Sequence, residues 1–132
     1  MLVVPFLLGA CASRAAAPET PARWQEVHHV GGAAHSIDVG GVVPLGPSRY
    51  RVLYRMSLAS PTSNPAGQRF DRLQGLKEYD CEQMRERSLT FEMYSGERRI
   101  QGSRDPGEWE TPSGPAGDVL RAVCATLAVP PK

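Results

Sequence analysis

Between Ser48 and Ala59 the chain alternates. Tyr50, Val52, Tyr54, Met56 and Leu58 are apolar at every second position, while Arg49, Arg51, Arg55 and Ser57 fill the other parity, interrupted only by Leu53. Successive side chains of a strand point to opposite faces, so this pattern predicts a half-buried β-strand with one apolar and one arginine-bearing face. Weaker alternation predicts strands over Trp24–Val30 and over His35–Val43, where Gly40-Gly41 weakens the strand or marks a bulge. Pro44 to Pro47 reads as a turn and Pro61 to Gln68 as an exposed loop. Three further strands are predicted: Phe70–Gln83, Arg85–Tyr94, and Glu97–Gly102 after the Ser95-Gly96 turn signal. Ser103 to Pro115 reads as a loop around Trp109.

Helical periodicity enters only at the end. Val119, Leu120, Val123, Cys124 and Leu127 form one apolar stripe. Ser113 stands where a cap belongs, Pro115 suits the first turn, Asp118 lies near the positive helix end, and Pro130-Pro131 stops the helix. The expected fold is therefore α+β and mainly β: an antiparallel meander of about five to six strands with one C-terminal helix packed on it.

The N-terminus follows different rules. Leu2 to Ala10 is an apolar run too short to span a membrane, which takes about 20 residues. It fits the apolar core of an export signal, although no Lys or Arg precedes it. Leu8-Gly9-Ala10-Cys11 resembles the bacterial lipobox, which implies a diacylated Cys11 as the mature N-terminus and a membrane anchor as partner. Ala12 after that cysteine implies outer-membrane sorting. Ala and Pro dominate the following residues, as in a semi-extended tether. The expected organisation is a signal at 1–10, the lipidated cysteine and tether at 11–22, a domain at 23–128 and a tail at 129–132.

Composition narrows the function. The 132-residue chain carries a formal net charge of +1, which supplies no bulk electrostatic drive towards nucleic acid. Two further cysteines, Cys81 and Cys124, lie in the body of the chain. An oxidising compartment lets them pair; otherwise they are buried thiols. A bond would contribute roughly 4 kcal/mol by chain-entropy arithmetic.

Several of these residues occur together in a known family. The strand Tyr50-Arg51-Val52-Leu53-Tyr54 is followed by Glu78-Tyr79-Asp80-Cys81, then by Arg85 and Arg87, then by Trp109 near Pro112-Ser113, and last by Leu120-Arg121-Ala122-Val123-Cys124. This order resembles the surface-adhesin protein E family of Gram-negative bacteria over roughly Trp24 to Leu127. The resemblance implies a disulfide-stapled sheet with a packed C-terminal helix. It also implies a lipid-anchored envelope location and, for its best-known members, adhesion to host matrix and serum proteins.

Catalytic chemistry finds little support. His28 and His29 are adjacent in a strand and face opposite ways, and His35 follows without a nearby zinc-like ligand set, so no metal or cofactor is expected. Asp80 reads as a turn or hydrogen-bonding residue. Glu108 and Glu110 flank Trp109 in a loop with no pocket implied. The row Arg49, Arg51, Arg55 is the candidate partner-binding surface, suited to a polyanion or an acidic protein segment. Its bland alternative is a solvated face paired with Glu78, Glu86 or Glu92 across strands. The expected function is that of a non-catalytic envelope lipoprotein, either a surface adhesin or a periplasm-facing accessory protein.

Overall fold

The computed structural model describes residues 21–128. The signal, Cys11 and the first part of the tether lie outside the described residues, as does the tail. Eight strands form one antiparallel sheet: β1 (Trp24–Val30), β2 (Ala33–Asp38), β3 (Val43–Gly46), β4 (Arg49–Ser63), β5 (Arg69–Asp80), β6 (Arg85–Ser88), β7 (Phe91–Ser95) and β8 (Arg98–Ser103). Among the described residues a single helix, α1 (Gly114–Leu127), follows them. The main path of the sheet runs β1-β2-β4-β5-β7-β8.

The organising element is the long β4–β5 hairpin, with strands of 15 and 12 residues. Each of its outer edges is shared by two short strands. On β4, β3 pairs with Arg49–Arg51 and β2 with Tyr54–Leu58. On β5, β6 pairs with Lys77–Asp80 and β7 with Arg72–Gln74. The hairpin therefore has two ends, each flanked by its own strands.

Local chemistry explains these divisions. The Asp38 carboxylate accepts the backbone N–H groups of Arg23 and Gly40, which closes β2 and turns the chain at Gly40-Gly41. Of the Pro44–Pro47 segment expected as a turn, Pro44 to Gly46 belong instead to the short strand β3. Pro44 fits there because an edge strand needs ladder hydrogen bonds on one side only. The expected Pro61–Gln68 loop is also shorter, since β4 resumes after a bulge and reaches Ser63. The expected strand Arg85–Tyr94 divides at Leu89-Thr90. There the Thr90 hydroxyl accepts the Leu76 N–H, and the Leu76 carbonyl accepts from Leu89. The crossing requires Gly75, because a Cβ there would collide with the Thr90 carbonyl.

The core lies between one sheet face and α1. Ile37 of β2, Val52 of β4 and Tyr79 of β5 meet Leu120, Val123 and Cys124 of the helix, all buried. Val52 belongs to the apolar parity predicted for Ser48–Ala59, and Leu120, Val123 and Cys124 to the predicted helical stripe. Ser113 takes the N-cap position without a side-chain cap bond, and Asp118 pairs with Arg121. Cys124 is bonded to Cys81, directly after β5, with Cα atoms 5.6 Å apart. The staple thus joins the helix to one end of the central hairpin.

Candidate functional site

The sheet face opposite the helix carries the arginines, and register decides what each one meets. Arg49 stands opposite Asp80, Arg51 opposite Glu78, Leu53 opposite Leu76, Arg55 opposite Gln74, and Ser57 opposite Arg72. One strand further, Arg85 stands opposite Asp80 and Arg87 opposite Glu78. Cross-strand partners share a face, so this places an Arg-acid-Arg row twice at one end of the hairpin.

Those rows are closed by ion pairs. Glu78 accepts from Arg51 at 3.0 Å and from Arg87 at 2.6 Å; Asp80 accepts from Arg49 and Arg85, both at 3.3 Å. Both carboxylates are only 4% exposed, against 49% for Arg49 and 42% for Arg51, so the acids lie beneath the guanidinium groups. Burial opposes charge on Glu78, but hydrogen bonds and charges from Arg87 and Arg51 outweigh it and hold its pKa below the ordinary carboxylate value. The Asp80 pKa is lowered as well, first by the backbone N–H of Gln83 and then, against burial, by Arg85 and Arg49. Asp80 also accepts from the Glu82 N–H, so it shapes the turn after β5 as well as neutralising two arginines.

Trp109 covers this end. Residues Gly107 and Glu110 bond to Ser88 and Glu86, which lays the segment along β6. The indole ring then receives Arg49, Arg85 and Arg87 at 5.3, 5.1 and 5.1 Å from its centroid. Each such contact contributes about 0.5–1 kcal/mol.

Past the Leu53–Leu76 pair the pattern changes. Arg55 lies over the Trp24 ring at 4.1 Å, and Arg72 over the Tyr94 ring at 4.3 Å. No carboxylate among the described residues lies within ion-pair distance of either, and both Nε atoms are buried without a hydrogen-bond partner. Burial, and then the charge of Arg72, disfavours the charged form of Arg55. Glu26 is turned to His29, and Glu92 accepts from the Tyr94 hydroxyl.

The candidate row Arg49, Arg51, Arg55 is thus brought onto one face but into two environments. Arg51 is paired with Glu78, as the bland alternative described; Arg49 is paired with Asp80, which that alternative did not include; Arg55 has no acid partner among the described residues. Arg72, Arg85, Arg87 and the Trp109 cover are absent from that row. Their signal was parity: Arg72 shares the parity of Glu78 and Asp80 on β5, and Arg85 that of Arg87 on β6.

The histidines lie elsewhere. His28 stands opposite His35, whose ring nitrogen bonds the Tyr54 hydroxyl. Burial, then the charges of His28, Lys77 and His29, lowers the His35 pKa below 6.5. Lys77 bonds Glu86 at 2.7 Å on the same face. Beside Lys77 is an open cavity of about 260 Å³, also lined by Tyr54, Leu73 and Phe91. Among the described residues no helix is long and apolar enough to cross a membrane.

A disulfide-stapled antiparallel sheet with a helix on one face and an arginine-rich opposite face defines a class of small, mainly β domain. The chain belongs to the surface-adhesin protein E family, whose model matches residues 24–125. A search of the curated proteins finds no match.

Proposed function

We propose that this protein is a non-catalytic binding protein of the cell envelope, anchored through lipid on Cys11 and acting as a surface adhesin. The observation that carries the reading is the division of labour between the two sheet faces. The helix is spent on one face, and the other carries the arginines, of which Arg55 and Arg72 rest on aromatic rings without an ion-pair partner among the described residues. Membership of an adhesin family supports a macromolecular partner for that face. The apolar run and small residues before Cys11 support export and anchorage.

Protease shaving of intact cells tests this reading. Cleavage of the domain on intact cells is expected. Cleavage only after the outer membrane is permeabilised would make the protein a periplasm-facing accessory lipoprotein instead. Substitution of Cys11 by Ser is expected to move the protein from the membrane to the soluble fraction.

A further inference from the structure

We propose that Arg55, Arg72 and Arg99 form a binding track for a sulfated polysaccharide across the unpaired end of the sheet. The inference rests on the reading that the arginine-bearing face is the binding face.

Geometry makes these residues a row. Arg72 is diagonal to Arg55 across β4 and β5, Tyr94 stands opposite Arg72, and Arg99 of β8 stands opposite Tyr94. The row crosses four adjacent strands, a span of roughly 14 Å at the usual inter-strand spacing. Such a span matches repeated charges along a linear polymer better than a single anion.

The groups are held in place before any ligand arrives. Trp24 and Tyr94 support the first two guanidinium groups. Arg99 lies across Gly102, where a Cβ would collide with its guanidinium nitrogens. Positive charge gathered this way, with no acid among the described residues within ion-pair distance of any of the three, favours an external anion.

Chemistry favours a sulfated sugar over an acidic peptide. A carboxylate offers only two oxygens, and at the other end Glu78 and Asp80 each serve two guanidinium groups with them. A sulfate ester offers three outward oxygens that several guanidinium groups can share. Gln74 and Ser36 stand opposite Arg55, and Ser57 stands opposite Arg72. Their amide and hydroxyl groups suit the hydroxyls of a sugar chain.

Calorimetric titration of the purified full chain with a heparin hexasaccharide tests the proposal. Saturable binding is expected. Arg55→Gln combined with Arg72→Gln should weaken it at least tenfold, while Arg49→Gln at the paired end should change it less than twofold. Arg99→Gln, at an exposed position, should weaken it about threefold with an unchanged melting curve; it therefore decides the matter even if the double variant fails to fold. Desulfated hexasaccharide and poly-glutamate should bind at least tenfold more weakly than the sulfated probe. Absence of saturable binding, equal binding of poly-glutamate, or equal loss in Arg49→Gln would overturn the track. Cell shaving separates this from the broader reading: exposure without hexasaccharide binding removes the track and keeps a surface protein. Hexasaccharide binding without exposure keeps the track and removes adhesion.

Discussion

The two ends of the arginine face are built from the same residue types and behave oppositely. At one end four arginines surround two buried carboxylates beneath an indole ring. At the other, Arg55 and Arg72 rest on aromatic rings with no acid among the described residues within ion-pair distance. The first arrangement satisfies its charges internally and so contributes to stability. The second leaves its charge for something outside. Arginine content alone is therefore a poor guide to a binding surface; the register of the neighbouring strand decides.

The largest blow to this contrast is expected from Cys81→Ser. The staple fixes the paired end of β5 to the helix, and its loss should cost about 4 kcal/mol in urea denaturation. Next comes Glu78→Gln. It strips Arg51 and Arg87 of their shared acid and should destabilise the fold by about 2 kcal/mol. The same variant sharpens the comparison, because the paired end should then gain affinity for polyanions; unchanged polyanion binding would mean that pairing is not what silences this end. Trp109→Ala, which removes the ring packed against three guanidinium groups, should cost about 1–2 kcal/mol.

Acid probes the same difference. Glu78 and Asp80 bind protons more weakly when folded than when unfolded, where carboxyls titrate at about 4. Their contribution is complete above that value and disappears as pH falls through the lower folded pKa values. Melting temperature should drop in that window, and Glu78→Gln should flatten the drop. The smallest effect belongs to the unpaired end: Arg55→Gln breaks no ion pair and gives up one cation–π contact, so it should cost no more than about 1 kcal/mol. A loss matching that of Glu78→Gln would erase the distinction between the ends.

Much of this was legible from alternation. The parity of Ser48–Ala59 placed Val52 in the core and Arg49, Arg51 and Arg55 together on the other face. The helical stripe likewise placed Leu120, Val123 and Cys124 against the sheet. Parity names a face and not a cross-strand neighbour, however. Nothing in the local pattern distinguishes Arg51, opposite Glu78, from Arg55, opposite Gln74. Leu53, which merely interrupts the arginine row in sequence, marks the boundary between the two ends once paired with Leu76. The split of Arg85–Tyr94 was hidden for a similar reason. Leu89, Phe91 and Met93 keep an unbroken alternation, while the break comes from hydrogen bonds to Leu76, distant in sequence.

The sharing of each hairpin edge by two short strands has an evolutionary consequence. Substitutions in β6 act on Glu78 and Asp80, while those in β7 and β8 act around Arg72; Gly75 keeps the junction between them tight. The charge pattern of one end can thus diversify under selection without disturbing the other. A lineage can retune what the surface recognises while inheriting an unchanged stabilising module.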